Sequence, residues 1–236
     1  MKHPVESKGV DSLAVLVLQV LICYERAMSR YAILLGGDLT VTKRLRKQLE
    51  GARYIAADGG IVHAEALGFA PEVWVGDFDS TNTHLERKFE DIPRQTHPVE
   101  KDASDGELAI SEALRQGATS LVLVGGFGGQ LDHVLAHCGF LVALAKRDVD
   151  IFMTSGTEEA HALVGDMQLN DLPTGTRISL MPMTDLVGLS ISGVRWPLSK
   201  RNVKLGSALT LANVSEGEVT ISLQHGHGIV ITYHHD

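Results

Sequence analysis

The sequence predicts an α/β fold: an N-terminal α/β domain with a parallel sheet, followed by a smaller antiparallel β-sandwich domain. From Tyr31 to about Asp150, short apolar runs alternate with helical patterns, as expected when helices cover both faces of a parallel sheet. Four of these runs end in loops rich in Gly and Asp. After about Asp150, short runs of Val, Ile, Leu and Thr are separated by turn residues and show no long helical period, which indicates antiparallel strands.

The composition excludes several classes of protein. The chain has 236 residues, with 21 Lys and Arg against 29 Asp and Glu, and its formal charge is −8. A generic nucleic-acid binder needs a surplus of positive charge, so we expect no nucleic-acid partner. The hydrophobic content of 44% is sufficient for a buried core. Cys23 and Cys138 cannot build a disulfide scaffold, which favours reduced thiols in a cytoplasmic protein.

Residues 1–27 are expected to be an extension outside the folded core. The apolar run Val10–Cys23 follows Lys2 and Lys8, as in a secretory signal, but it is shorter than the roughly 20 residues of a membrane span. No small-residue cleavage site follows it directly. A packed helix and a targeting signal are the alternatives. Met28 is the expected start of the folded chain, and since no other stretch approaches membrane length, we expect no membrane partner.

The N-terminal domain is predicted to span residues 28–160. Its predicted strands are Tyr31–Leu35, Tyr54–Ala57, Val73–Val75 and Leu121–Val124. Its predicted helices are Thr40–Glu50, Ile61–Leu67, Ser104 or Asp105 to about Gln116, and Leu131 to Lys146. The loops that follow the strands read GGD, DGG, GDFDS and GGFGG. Ligands of open α/β sheets bind beyond the carboxyl ends of the strands, so these loops are expected to converge on one site, although turns also take Gly and Asp for conformational reasons alone.

The smaller β domain is predicted to span residues 161–236, with a boundary between Gly156 and Asp171. Its predicted strands are Arg177–Leu180, Val187–Ile191, Ala208–Leu211, Val219–Leu223 and Gly228–Thr232. Four histidines near the C-terminus could suggest a metal site, but the first pair alternates along a predicted strand and the second ends a tail. We therefore expect solvent-exposed side chains at His225, His227, His234 and His235.

Two carboxylates in the third loop indicate a site for a hard cation. Asp77 and Asp79 flank Phe78 at a strand end, so both side chains can share one Mg²⁺. Such an ion is typically held by one or two carboxylates together with substrate phosphates. Gly76 lets the backbone come close to a ligand, and Ser80 adds a hydroxyl.

Two further segments are candidates for binding phosphate. The stretch Lys101–Asp105 places a cation and two carboxylates before a predicted helix, where Lys101 could meet a phosphate and Asp105 could join the metal cluster; an ordinary helix cap is the alternative. The stretch Gly125–His133 (GGFGGQLDH) has glycines that could cradle phosphate. It is not a Walker loop, because no GK[ST] follows, and it lacks the third glycine of the dinucleotide pattern.

One tryptophan is a candidate stacking platform. Trp196 lies in the turn-like segment GVRWPL, where its ring could stack on a flat ligand. A role in the core is the alternative.

Taken together, these segments resemble the motifs of the thiamine pyrophosphokinase family in order and spacing. The four N-terminal motifs are ADGG (57–60), GDFDS (76–80), KDASD (101–105) and GGFGGQLDH (125–133). GVRWPL (193–198) and LANVSEG (211–217) are similar to the thiamine-binding β domain of that family. The resemblance covers about Tyr31 to Thr232 and leaves residues 1–27 uncovered.

The resemblance implies an enzyme that transfers the pyrophosphoryl group of ATP to the hydroxyl of thiamine, with Mg²⁺ as cofactor. It implies a metal site at Asp77, Asp79 and Asp105, and catalytic roles for these three and for Lys101, Gln130 and Asp132. It implies ATP contacts at Asp58, Gly59, Gly60, Ser80, Gly126, Gly128 and Gly129, and thiamine contacts at Asp132, Trp196 and Asn213. It also implies a cytoplasmic homodimer in which the β domain of one subunit closes the active site of the other.

Two residues depart from the family pattern. Many members have Arg where this chain has Gln130, and Gln lacks the charge that would stabilise negative charge on the transferring group. Ala212 stands where the family often has Ser, which removes one expected hydroxyl contact. Two other functions are kept as alternatives: a nucleotide-sugar transferase that uses Asp77 and Asp79 as its metal site, and a thiamine-binding module that has lost catalysis through changes such as Gln130.

Overall fold

A computed structural model describes residues 29–78, 83–97 and 103–235. The predicted extension at residues 1–27 lies outside the described residues, as do three predicted site residues, Asp79, Ser80 and Lys101. Among the described residues, no helix is long and apolar enough to cross a bilayer.

The helices and strands alternate in the first half of the chain, and strands alone follow in the second. The helices are α1 (Lys43–Gln48), α2 (Val62–Leu67), α3 (Thr83–Lys88), α4 (Asp105–Arg115) and α5 (Leu131–Ala145), with a 3₁₀ turn at Asp58–Ile61. The strands are β1 (Arg30–Leu34), β2 (Arg53–Ala57), β3 (Val73–Gly76), β4 (Arg94–Thr96), β5 (Ser120–Val124), β6 (Asp150–Thr154), β7 (Glu158–Leu163), β8 (Met167–Leu169), β9 (Arg177–Pro182), β10 (Leu186–Val194), β11 (Leu198–Val203), β12 (Asn213–Ser222) and β13 (Gly228–Tyr233).

The predicted fold class is confirmed. Six strands pair in parallel in the order β4-β3-β2-β1-β5-β6. Helices α4 and α5 bury residues such as Ala109 and Leu141 against one face, together with Ile33 of β1. Helices α1 and α2 bury Leu45 and Leu67 against the other face. Because both faces are covered, the central strands are apolar throughout, which is why they are visible in the sequence.

The second half of the chain continues the same sheet with antiparallel strands. Strand β7 pairs antiparallel with β6, and the order then runs β13-β9-β12-β10-β11, with β8 beside β12. A third core, which includes Leu180, Leu189 and Ile221, fills the space between these strands. Residue 160, where the sequence placed the domain boundary, lies within β7. The division into residues 28–160 and 161–236 stays a prediction.

Three predictions for the second half are wrong. Residues 208–211 form turns rather than a strand: Thr210 sits beside β9, where its hydroxyl donates to the carbonyl oxygen of Leu180 at 2.6 Å. His225 and His227 lie in the connection between β12 and β13, not along a strand. His234 is not solvent-exposed, because its side chain is only 8% exposed and lies against the buried Glu159.

That carboxylate joins the two halves of the chain. Glu159 of β7 is 2% exposed and receives two hydrogen bonds from the Arg44 guanidinium of α1, at 2.5 and 3.0 Å. Gln48 donates a third at 2.7 Å, and His161 and His234 each lie 3.5 Å away. Burial alone would raise the pKa of Glu159, but the contacts with His161, His234 and Arg44 outweigh it and hold the pKa well below its usual range.

Candidate functional site

A cavity of about 510 Å³ lies at the carboxyl ends of β1, β2 and β5. This is the edge of the sheet where the sequence predicts that the loops converge. Its lining comes from the GGD, DGG and GGFGG loops and from the first turns of α4 and α5. The lining residues are Leu35, Gly36, Gly37, Ala57, Asp58, Gly59, Ser104, Asp105, Gly106, Gly125, Gly126, Gly128, Gly129, Gln130, His133 and His137.

The GGD and GGFGG loops interlock through their backbones. The N–H of Gly37 donates to the carbonyl oxygen of Gly125 at 2.9 Å, and the N–H of Asp38 donates to that of Phe127 at 2.7 Å. A Cβ on Gly37 would lie 2.0 Å from the oxygen of Phe127, and a Cβ on Gly128, whose φ is +74°, would lie 2.2 Å from a carboxylate oxygen of Asp38. Only glycine allows the two loops to approach this closely, so these residues define the shape of the cavity.

Two helices begin at the cavity. Ser104 caps α4, accepting a hydrogen bond from the N–H of Glu107 at 3.2 Å. Gln130 is the N-cap of α5 but makes no side-chain cap bond, and it lines the cavity instead. The first turn of a helix presents unpaired N–H groups and the positive end of the helix dipole, which favours anions. Since the described lining contains no Lys or Arg, these N–H groups are its main attraction for phosphate.

Carboxylates also belong to this site. Asp58 and Asp105 line it, and Asp77 follows directly after β3. A Cβ on Gly76 would lie 3.4 Å from Asp58 Oδ1, so the loop after β3 contacts the loop after β2. Val75 packs in the core beneath α4, and strand alternation places Asp77 on that same side.

These carboxylates are hard oxygen donors of the kind that Mg²⁺ prefers. The described residues contain no group of three or more possible metal ligands. A magnesium ion usually takes only one or two carboxylates and completes its shell with substrate phosphates and water. One or two of the carboxylates of Asp58, Asp77 and Asp105 therefore suffice for such an ion together with a nucleotide.

Two histidines that the sequence analysis missed support the glycine loops. His63 donates through Nε2 to the carbonyl oxygen of Gly37 at 2.9 Å, and His137 donates through Nδ1 to that of Gly126 at 3.0 Å. Burial lowers the pKa of both imidazoles, so each acts as a neutral donor. No local pattern could have identified them, because the bonded glycines are 26 and 11 residues away.

In the antiparallel half, Asn213 holds the backbone beside Trp196. Trp196 is 57% exposed, so a role in the core of this chain is excluded. The Trp196 N–H donates to Asn213 Oδ1 at 3.1 Å, and Asn213 Nδ2 donates to the Trp196 carbonyl oxygen at 2.9 Å. The buried side-chain amide of Asn213 therefore makes these hydrogen bonds to the backbone of the segment that carries the exposed Trp196 ring.

The structure brings about half of the predicted site residues together. Those that line the cavity are Asp58, Gly59, Asp105, Gly126, Gly128, Gly129 and Gln130. Asp77 is not in the lining but directly follows β3, whose last residue, Gly76, lies close to Asp58. Gly60 is buried under the loop. Asp132 is exposed at the start of α5, where it accepts a hydrogen bond from the N–H of His133 at 2.9 Å. Trp196 and Asn213 do not contribute to the cavity within this chain.

Family models of two domains match the chain. The first, described as the catalytic domain of thiamin pyrophosphokinase, matches residues 45–153. The second, described as the vitamin B1 binding domain of thiamin pyrophosphokinase, matches residues 166–227. Together the two matches cover more than two thirds of the chain.

Individual proteins are similar over comparable lengths. The thiamine pyrophosphokinase of Bacillus subtilis (strain 168) is 27% identical over 168 residues, which make up 70% of this chain and 78% of that protein. A crystal structure of thiamine pyrophosphokinase from Bacillus subtilis has a TM-score of 0.78 at 24% identity, and covers 88% of this chain and 100% of that one. The thiamin pyrophosphokinase of Candida albicans has a TM-score of 0.69 at 13% identity, with 90% and 91% covered. The two structural similarities concern the fold.

Proposed function

The chain belongs to the thiamine pyrophosphokinase family, and from this premise we propose that it transfers the pyrophosphoryl group of ATP to the hydroxyl of thiamine, giving thiamine diphosphate and AMP. The observation that carries the proposal is the single cavity at the carboxyl ends of β1, β2 and β5, which combines glycine loops, two helix N-termini and carboxylates. The comparisons support neither a nucleotide-sugar transferase nor a binding module without catalysis.

In the proposed reaction the thiamine hydroxyl oxygen bonds to the β-phosphorus of ATP, and the bond from that phosphorus to the bridging oxygen of the α-phosphate breaks. The hydroxyl proton is released, and AMP leaves. The glycine loops and the N-termini of α4 and α5 bind and orient the phosphates, so positioning and fixed dipoles supply most of the rate. Asp77, Asp79 and Asp105 would hold Mg²⁺, which supplies positive charge to the phosphates when bound.

Gln130 is proposed to act by orientation rather than by charge. Its side chain lines the cavity at the N-terminus of α5, where it can donate a hydrogen bond to a phosphate oxygen. Lys101, four residues before α4 in the sequence, is proposed to supply the charge near the transferring group.

A labelling experiment tests the proposed bond cleavage. Purified protein is given Mg²⁺, thiamine and ATP labelled at the β-phosphorus. The label should appear in thiamine diphosphate and not in AMP. Recovery of the label in ADP would contradict pyrophosphoryl transfer, because the β-phosphorus would then have remained on the nucleotide.

The thiamine site is proposed to lie between the subunits of a homodimer. Trp196 follows β10, six strand positions from β5 in the sheet order, and it does not line the cavity within this chain. Leu131 and Leu135 lie one helical turn apart on α5 beside the cavity, and they are 71% and 55% exposed. Exposed apolar side chains next to a site support a protein partner, here a second copy whose Trp196 stacks on thiamine.

Replacing Trp196 with Ala should raise KM for thiamine about tenfold, since an aromatic stack contributes roughly 1 kcal/mol beyond its buried area. The KM for ATP should change by less than about twofold, because the ring lies outside the nucleotide cavity. Steady-state kinetics with each substrate varied in turn measures both. Leu205→Ala, at another exposed apolar residue of the β domain, is the matched control. An equal rise in KM for thiamine and for ATP would contradict a stacking role.

Mixed dimers should reveal a shared site. A heterodimer of Asp77→Asn and Trp196→Ala subunits holds one site with both defects and one site with neither. After unfolding and refolding an equal mixture, about a quarter of the parent activity should return with the parent KM for thiamine, because half of the dimers are mixed and half of their sites are intact. If the activity of the refolded mixture does not exceed the sum of the activities of the two separate variants, the interface site is contradicted.

A cytoplasmic location is also part of the proposal. Cys138 is a free thiol, and burial raises its pKa, which lowers its reactivity. A chain without a disulfide scaffold fits a reducing compartment that contains ATP. Cell fractionation followed by immunodetection checks the location.

A further inference from the structure

Two residues other than glycine adopt left-handed backbone angles in the loops that carry the proposed metal ligands. Asp58, directly after β2, has a φ of +40°, and Phe78, two residues after the end of β3, has a φ of +61°. Such angles are costly for residues with a side chain and persist only where the surroundings enforce them. Contacts with neighbouring residues must therefore hold Asp58 and Phe78 in this backbone conformation.

Trp74 contacts both loops. It lies on β3, fully buried at 0% exposure. Its indole N–H donates to the carbonyl oxygen of Asp58 at 2.8 Å. Its ring meets the ring of Phe78 edge to face, with centroids 5.0 Å apart and planes at 86°, which is a favourable aromatic geometry. One buried side chain thus links the loop after β2 with the loop after β3.

Arg94, on the neighbouring strand β4, lies over the rings of Trp74 and Phe78. Its guanidinium carbon lies 5.1 Å from the centre of the Trp74 ring and 5.2 Å from that of Phe78. Both distances fall within the range of cation–π attraction. The guanidinium is itself oriented by Glu86 of α3, 3.4 Å away. Phe78 is therefore held between its own strand, Trp74 and Arg94.

Phe78 stands between the two aspartates of the GDFDS motif, so its placement fixes the direction of the chain at Asp77. We infer that Trp74 and Arg94 are positioning residues that hold the strained loops after β2 and β3 in the geometry that binds metal and nucleotide. The inference rests on the proposed function, because it assigns that binding to these loops. Neither side chain touches substrate, since neither lines the cavity among the described residues.

The test measures nucleotide binding without turnover. The probe is Mg²⁺ with α,β-methylene-ATP, which cannot be cleaved at the α–β bridge, and affinity is measured by isothermal titration calorimetry in the absence of thiamine. Trp74→Phe keeps a ring against Phe78 but removes the indole hydrogen bond to the Asp58 carbonyl oxygen. Arg94→Met removes the cation and keeps a side chain of similar length. Each should weaken binding roughly tenfold. The KM for thiamine should stay within about twofold in both variants, because the proposed thiamine contacts Trp196 and Asn213 lie in the antiparallel half of the chain.

Arg53→Met is the matched control. Arg53 also lies over an aromatic ring, that of Tyr31, at 4.5 Å, but at the start of β2, away from the loops. The nucleotide affinity of the Arg53→Met variant should lie within about twofold of the parent affinity. Parent-like affinity in both Trp74→Phe and Arg94→Met, even with a lowered melting temperature, would overturn the positioning role and leave the proposed function intact. An equal rise in the KM for thiamine would indicate general loosening and would also overturn it. A parent chain that binds no Mg²⁺-nucleotide would overturn the proposed function together with this inference.

Discussion

Replacing Asp77 with Asn should lower kcat about a thousandfold, since losing several kcal/mol of transition-state stabilisation slows a reaction by this factor. Asp77 directly follows β3, beside the loop of Asp58, and the substitution keeps the size of its side chain while removing one negative charge. An amide is a weaker ligand for Mg²⁺ than a carboxylate, so raising Mg²⁺ should recover part of the rate. Initial rates over a range of Mg²⁺ concentrations, with circular dichroism to establish folding, provide the measurement.

Asp91→Asn is the matched control for this prediction. Asp91 is exposed in the turn after α3, and the same change of charge there should leave kcat within about twofold of the parent. Near-normal turnover in Asp77→Asn would remove that carboxylate from the proposed metal site. A loss of equal size in both variants would indicate a nonspecific effect of net charge.

Replacing Glu159 with Gln should lower the free energy of unfolding by about 3 kcal/mol at pH 7, because it leaves the Arg44 guanidinium beside a buried neutral amide. The pKa of Glu159 is lowered in the folded protein, so its carboxylate stabilises the fold above its ordinary pKa of about 4.3. That stabilisation is lost as the pH falls from there towards the folded-state pKa. The difference between parent and variant should therefore be largest near neutral pH and shrink below about pH 4.3.

Urea denaturation at several pH values measures this effect, and Glu72→Gln is its control. Glu72 pairs with Arg53, and both side chains are about two fifths exposed, at 41% and 43%. An exposed pair contributes about 0.5 kcal/mol, so this variant should differ little from the parent. Equal destabilisation by the two substitutions, or a Glu159→Gln effect that does not change with pH, would contradict the account of the buried cluster.

The central strands could be predicted from the sequence because they are buried on both faces. A strand of this kind is apolar at every position, as in the run Leu121–Val124. The edge strands could not. Strand β4 reads RQT and β11 reads LSKRNV, and both lie at the ends of the sheet order, where most of their side chains face solvent. The run at 208–211 is apolar but exposed in part, with Leu209 at 53%, and the Thr210 contacts with β9 decide its conformation.

The candidate site was predictable where residue type alone carries the chemistry. Glycine and aspartate at strand ends indicate a phosphate and metal site without knowledge of tertiary contacts, and Asp58, Asp105 and Gly128 do line one cavity. The supporting residues were not predictable. Trp74 reads as one more apolar strand residue, and its role follows only from the hydrogen bond to Asp58, which is 16 residues away.

Product analysis by anion exchange tests the central claim most directly. Protein beginning at Met28 is incubated with ATP, Mg²⁺ and thiamine, and parallel reactions omit thiamine. The proposed function predicts AMP and thiamine diphosphate in equal amounts, with neither formed when thiamine is absent. ADP with thiamine monophosphate would contradict pyrophosphoryl transfer, and folded protein that consumes no ATP in a thiamine-dependent way would contradict the enzyme activity itself.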